Sequence, residues 1–219
     1  MAKEKKTNKQ QLFEAYTHFV LEKEHFPKSV YAFCKECGVE EADFYAHFGS
    51  LNNLRDAIWT AFYDNTHQLL DKNKDYPSLT RKDKLLSFYY TFFEVLLLNR
   101  SYVLFTLDKE AKPLEKLEQL SGLRKNFKAF ATELIEDGNA EKNSRLTQHP
   151  PQLFSEAAWV QLLFLLNFWI KDGSAGFEKT DMAIEKSVQT AFDVFDNTPL
   201  NAIIDFGKFL WKEKFQPSV

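Results

Sequence analysis

The sequence predicts an all-α fold, and three observations carry that prediction. Apolar residues recur at i, i+3, i+4 and i+7 in segment after segment, the rhythm of a helix with one buried face. Only 7 Gly and 7 Pro punctuate 219 residues, too few for the turns of a many-stranded protein. No stretch alternates apolar and polar residues as a half-buried strand does, and no internal repeat stands out. Apolar residues make up 44% and charged residues 27%, the balance of an ordinary globule, but 22 Phe is a high aromatic load.

The elements follow in order. After the polar run MAKEKKTNKQ, Leu12, Phe13, Tyr16, Phe19 and Val20 mark an amphipathic first helix. It ends at His25-Phe26-Pro27, because the residue before proline is pushed out of the helical region. Ser29 caps a short second helix, VYAFCKEC, and Gly38 supplies a tight turn. A third helix buries Phe44 and Phe48, with Val39 packed in the turn before it. Gly49-Ser50 opens a long fourth helix striped by Leu51, Leu54, Ile58, Phe62 and Leu69. Tyr76-Pro77-Ser78 interrupts, and Thr80 with Asp83 has the spacing of a capping box.

The next helix, KLLSFYYTFFEVLLLN, is apolar on nearly every side, so it must be surrounded by other helices or line a cavity. Two helical segments follow, the second striped by Leu120, Leu123, Phe127, Phe130 and Leu134. A polar loop, EDGNAEKNSRLTQHPP, leads to an apolar helix from about Pro151 to Lys171, which DGSAG stops. Ile184, Val188, Ala191 and Phe195 mark another, and Thr198-Pro199 opens a last one ending near Phe215.

The second and third helices carry a recognisable pattern. SVYAFCKECGVEEADFYAHFGSLNNLRDAIW resembles the N-terminal DNA-binding segment of TetR-family transcriptional regulators, with Val30, Phe33, Gly38, Val39, Phe44, Tyr45, Phe48, Ser50 and Leu54 in register. FWIKDGSAGFEKTDMAIEKSVQTAFDVF is similar to the last two helices of the larger domain in some members. The resemblance implies a helix-turn-helix domain over residues 1–50 and a helical effector-binding and dimerisation domain over 51–219. It implies a homodimeric repressor of transcription, with double-stranded DNA, a small apolar effector and a second copy of itself as partners. A dimer of this kind presents two recognition helices about one helical turn, roughly 34 Å, apart. A ligand that prefers another spacing lowers DNA affinity by linkage.

Residues expected at DNA are Lys3, Lys5, Lys6 and Lys9 of a basic arm, Lys28 and Ser29 at the head of the second helix, and Glu41, Ala42, Asp43, Tyr45 and His47 on the third. Free N–H groups at a helix start bind phosphate, a tyrosine hydroxyl donates to it, and an acid accepts from the cytosine amino group. The sequence departs from the family at two places. Glu40, Glu41, Ala42 and Asp43 stand where small, hydroxylated or basic residues are usual, and Leu51 stands at a usually basic position. Residues 1–50 hold seven lysines and eight acids, net −1, whereas phosphate contacts normally supply much of the affinity. A second reading therefore stays open: a ligand-binding or protein-interaction module on the same scaffold that no longer binds DNA.

Trp59, Phe62, Tyr89, Phe92, Phe93, Phe105, Phe127, Phe130, Phe164 and Phe168 are candidates for the wall of an effector pocket between the fourth helix and the apolar helix at 83–99. Such stripes equally fit plain core. Trp159, Leu163, Leu166, Trp169, Val188, Phe192 and Phe195 are candidates for the dimer interface, since they offer more apolar surface than a helix pair packed on one side needs.

Other chemistry is not indicated. Cys34 and Cys37 have redox-motif spacing without a βαβ context, and fit better as buried filler. The histidines at 18, 25, 47, 67 and 149 lack metal-ligand spacing, so no metal and no cofactor is expected. No nucleophile–base pair or phosphate-binding glycine loop points to an enzyme. The polar N-terminus lacks a signal-peptide core, and the longest apolar run, residues 157–170, falls short of the roughly 20 residues of a membrane span. A cytoplasmic protein is the expectation.

Overall fold

The structure, a computed structural model, describes residues 7–108, 117–140 and 150–197, with backbone alone at 108 and 195–197. Among these residues the protein is all-α, with nine α-helices and no strand. The helices are α1 (Lys9–Lys23), α2 (Val30–Cys37), α3 (Glu41–His47), α4 (Leu51–Leu70), α5 (Arg81–Leu97), α6 (Arg100–Asp108), α7 (Ser121–Ala140), α8 (Pro151–Lys171) and α9 (Glu178–Asn197). The expected last helix near Phe215 lies outside the described residues.

The chain forms two compact units, residues 1–72 with 91–126, and residues 73–90 with 127–219. Helices α5 and α7 each contribute to both. The boundary expected at residue 50 falls inside the first unit, where Ser50 caps α4 by accepting from Asn53 N at 3.1 Å.

In the first unit, α1 starts on a reciprocal cap. Asn8 Oδ1 accepts from Gln11 N and Gln11 Oε1 accepts from Asn8 N, each at 2.9 Å. Helices α2 and α3 have only 8 and 7 residues, too short to persist alone, so burial of their apolar faces must hold them. Phe33 and Phe44 are fully buried, with ring centroids 6.0 Å apart and edge to face. Each such ring contributes about 2–3 kcal/mol by leaving water. Gly38 turns the chain between the two helices at φ 64°, a left-handed conformation that glycine adopts without strain. Helix α7 is capped by α4: Asp56 Oδ1 accepts from Gly122 N at 2.7 Å and from Ser121 Oγ at 2.9 Å. A side chain on Gly122 would run into Thr60 Oγ1 and the Asp56 carboxylate.

In the second unit, α5 opens on the expected Thr80–Asp83 pair, Asp83 N donating to Thr80 Oγ1 at 3.1 Å. Phe88 packs against Phe127 and Phe130, with centroids 5.2 and 5.1 Å away. The polar loop was expected to begin before Gly138, yet α7 continues to Ala140. The Arg81 guanidinium lies in the space that a side chain at Gly138 would enter. Helix α8 is longer than its apolar run and, at 21 residues, has the length and composition of a membrane span. Here Trp159, Leu162, Leu165, Leu166 and Trp169 bury one of its faces in the unit's core.

Asp172 terminates α8 and starts α9. Its carboxylate accepts from Ser174 N and Oγ at 2.8 and 2.6 Å, and from Thr180 N and Oγ1 at 2.9 and 2.7 Å. The Ser174 hydroxyl, the Ser174 amide and the Thr180 groups hold the carboxyl well below the usual carboxylate range. A carboxyl with a depressed folded pKa stabilises the fold fully above its unfolded value, about 3.9, and the benefit fades as pH falls below that towards the folded pKa. Asp172→Asn, whose amide nitrogen cannot accept, is expected to lower Tm by several degrees at neutral pH. The gap between variant and wild type should narrow between about pH 4 and pH 2, as thermal melts across that range will show.

Candidate nucleic-acid interface and apolar groove

The α2–α3 pair is built so that one side of α3 is committed to the core and the other is open. Phe44 and Phe48 are buried, while Ala42 is exposed and Tyr45 is 53% exposed. Phe44 supports the Tyr45 ring edge-on at 5.5 Å, so the phenol is presented on a rigid base. Glu40, the residue before α3, is exposed and its side chain makes no cap hydrogen bond; Glu41 is half-buried in the first turn. Acids there are favoured by the helix dipole, so they do not cost the fold.

The other expected DNA-facing residues distribute as follows. Ser29 caps α2, its Oγ accepting from Ala32 N at 3.1 Å, and Lys28 beside it is exposed. The Lys9 ammonium lies over the rings of Phe13 and Phe48, 5.5 and 6.0 Å from their centroids. Asp43 accepts from Thr7 N at 2.9 Å, and His47 Nε2 donates to Thr7 O at 3.1 Å. Lys3, Lys5 and Lys6 lie outside the described residues. Of the eight acids counted in the head, Glu36 is paired with Lys23.

Cys34 is buried, and desolvation pushes its thiol up to about 11; burial also raises Cys37, whose Sγ points at Ala15 O at 3.9 Å. Neither is a thiolate near neutral pH, which suits packing rather than redox chemistry. Among the described residues no group of three His, Cys, Asp or Glu could hold a metal ion.

The second unit contains an apolar groove of about 700 Å³ walled by α5, α7, α8 and α9. Leu85, Ala131, Leu134 and Ile135 form one side; Leu153, Phe154, Ala157, Ala158 and Phe164 of α8, with Ala183, Ala191, Phe192 and Val194 of α9, form the other. Leu153, Phe164 and Val194 are 44%, 53% and 40% exposed, so the groove opens to solvent along that edge. Its polar residues are Gln161, Ser187 and Thr190, with Arg81 and Lys186 as the cations. Gln161 ties three helices: Tyr89 Oη donates to its Oε1 at 3.3 Å, and its Nε2 donates to Ser187 Oγ at 3.0 Å.

Of the ten aromatics proposed for the pocket wall, Phe164 lines this groove. Phe168 is half-buried, its ring centroid 6.2 Å from that of Phe164. Trp59, Phe62, Tyr89, Phe92, Phe93, Phe127 and Phe130 are buried core residues, and Phe105 is half-buried against Phe26 at 5.0 Å. The groove is open because alanines, a serine and a threonine face one another where α8 meets α9. The sequence signal was small residues at 157, 158, 183, 187, 190 and 191, not the large ones. Of the expected dimer residues, Trp159, Leu166, Trp169 and Val188 are buried within the chain's own fold. Leu163 and Phe192 are half-buried, and the Phe195 side chain lies outside the described residues. On α8 the apolar residues turned outward are instead Leu153, Val160 (63%) and Phe164.

These features define an all-α protein with a helix-turn-helix in its N-terminal unit and an apolar groove in its second. The chain belongs to the TetR family of transcriptional regulators: the family model described as "Tetracyclin repressor-like, C-terminal domain" matches residues 84–210. A TetR-family transcriptional regulator from Syntrophomonas wolfei shares the fold at 13% identity, with a TM-score of 0.62, covering 88% of this chain and 96% of that one. The fatty acid degradation regulator FadR from Bacillus halodurans does so at 15% identity and TM-score 0.54, covering 89% and 98%. FadR from Bacillus subtilis, in complex with stearoyl-CoA, matches at 14% identity and TM-score 0.50, covering 87% and 98%. A search of curated protein sequences finds no match.

Proposed function

We propose that this protein is a cytoplasmic, ligand-responsive repressor that binds double-stranded DNA as a homodimer and releases it when an apolar effector occupies the α5–α7–α8–α9 groove. The observation that carries the proposal is α3 itself, where Phe44 and the following Phe48 are buried while Ala42 and Tyr45 are exposed, as is Lys28 ahead of α2. That is the disposition of a helix meant for a major groove. If the head binds DNA, its affinity must come from the lysines at 3, 5, 6, 9 and 28, with Glu40 and Glu41 suppressing indiscriminate binding. Deleting residues 1–6 is then expected to weaken binding and to reduce the salt slope by about 0.9 for each phosphate that is no longer neutralised. Glu41→Lys should tighten binding to all sequences alike. Binding isotherms across a salt series will decide; if neither wild type nor Glu41→Lys holds any duplex at low salt, the interaction-module reading replaces this one.

Two features support an apolar effector: the groove volume, about 700 Å³, lies within the range of small-molecule sites, and its walls are largely aliphatic. A long acyl chain is the class we propose, and the stearoyl-CoA held by the Bacillus subtilis FadR makes a long-chain acyl-CoA the natural probe. Arg81 and Lys186 would then meet its anionic end. At a hundredfold excess over Kd such a ligand should raise Tm by about 5–10 °C. Ala157→Phe, which fills the groove from α8, should abolish that shift while leaving the unliganded melt near wild type.

The outward face of α8 supports a homodimer. Leu153, Val160 and Phe164 are spaced to share one side of the helix, an apolar patch of the kind that marks an interface. Sedimentation velocity should show a dimer at micromolar concentration, and Val160→Glu with Phe164→Glu should convert it to a folded monomer. A monomeric wild type would overturn this part of the proposal.

A further inference from the structure

The apolar groove adjoins a second space. Arg81 and Phe192 line the groove and also line a hollow of about 640 Å³, so the two spaces meet at that pair. On α5 the change of character takes one turn: Leu85 lines the groove, and Arg81, four residues earlier and on the same face, opens the hollow. Helix α7 repeats the step. Leu134 and Ile135 wall the groove, while one turn on come Asp137 of the hollow and Gly138, over which the Arg81 guanidinium lies. On α9, Ala191 and Val194 line the groove, and Gln189 and Asp193 line the hollow.

The hollow has a different chemistry. Its cations, Arg81, Lys82 and Lys84, are half-buried, whereas the acids on its lining, Asp137 and Asp193, are exposed. Asp193 accepts from Gln189 Nε2 at 2.7 Å, and Gln189 accepts in turn from the Lys82 ammonium. Asp83, the acid in the same turn of α5, is exposed and accepts from the Thr80 hydroxyl at 2.6 Å. A charge partly withdrawn from water acts more strongly on a neighbour than a fully solvated one. The cations therefore dominate the field inside the hollow, and its lining favours an anion.

We infer that this hollow is the head-group subsite of the effector site, and that the effector is an amphiphile whose apolar tail ends in a phosphate-bearing head rather than a bare carboxylate. The inference rests on the effector reading above and supplies the end of the ligand that the groove leaves undefined. A carboxylate would be met by Arg81 where the two spaces join, and would leave the hollow beyond it unfilled. A head with several negative charges engages Lys82 and Lys84 as well, and the volume is that of a small-molecule site in its own right. Lysines suit this role, because a compact charge on a flexible stem meets phosphate oxygens without demanding one fixed geometry.

Two probes with the same tail separate the two ends of the site: myristate and myristoyl-CoA, each titrated calorimetrically below its micelle-forming concentration at low salt. Wild type should hold myristoyl-CoA about tenfold more tightly than myristate, and added salt should erode the difference. Lys82→Gln with Lys84→Gln should weaken myristoyl-CoA roughly five- to tenfold, the worth of two partly exposed ion pairs, and leave myristate unchanged. Lys179→Gln, which removes an exposed charge of α9 from outside both spaces, should alter neither probe. Ala157→Phe should abolish binding of both. Circular dichroism and the unliganded melt establish that each variant is folded. Equal affinity of wild type for the two probes would overturn the head-group subsite while keeping the apolar effector. So would a double lysine variant that holds myristoyl-CoA as wild type does, or that loses both probes alike. Binding of neither probe by wild type would sink the effector reading itself, and the subsite with it.

Discussion

The N-terminal unit depends on one buried ring. Phe33 of α2 is fully buried and meets Tyr16 at 5.7 Å, Phe19 at 6.1 Å and Phe44 at 6.0 Å, so α1, α2 and α3 converge on a single side chain. Tyr16 in turn meets Tyr102 of α6 at 6.5 Å, which extends the same aromatic run into the helices that back the head. Neither α2 nor α3 is long enough to be stable on propensity, so their mutual angle is set by how these rings pack edge to face. What α3 can offer to a partner on its open side follows from what it surrenders on the closed side.

The helix-turn-helix was legible because its signals are local. Ser29 as a cap, Gly38 at positive φ and Phe44 and Phe48 one turn apart are read from sequence alone, and each takes the place it was given. The groove was not legible in the same way. Large aromatics announce themselves in a sequence, but in a fold they fill space; Tyr89, Phe92 and Phe127 are completely buried. Empty space is made by small residues meeting across two helices, a property of pairs distant in sequence. Ala157 with Ala158 and Ala183 with Ala191 become informative only once α8 and α9 are placed together. Gly138 is a related case: its sequence context fits a loop, but the helix continues through it with the Arg81 guanidinium packed where a side chain would lie.

Charge counting over residues 1–50 had a similar blind spot. A sum treats every ionised side chain as available to a partner, but the structure assigns several to one another or to the backbone. Glu36 meets Lys23, Glu22 lies 3.4 Å from His18, and Asp43 is committed to Thr7. The unengaged acids at the head of α3 are then Glu40 and Glu41 in the residues as described. At the head of α3 the electrostatic question posed by the sequence thus turns on Glu40 and Glu41.

The hydrogen bonds in the groove wall bear on how finely the site can choose. Gln161 accepts from Tyr89 and donates to Ser187, the Ser187 hydroxyl donates to Ile184 O at 3.1 Å, and the Thr190 hydroxyl donates to Lys186 O at 2.8 Å. Both hydroxyl protons are thus spent on the turns of α9 rather than aimed inward. Walls whose amide and hydroxyls are already spent on their own scaffold would judge the apolar part of a proposed effector by bulk and reach. Discrimination of that kind is worth roughly ten- to two-hundredfold per methylene at best, far below what dedicated hydrogen bonds achieve. For an effector of the class proposed above, such walls would give graded tolerance of a homologous series rather than recognition of a single compound.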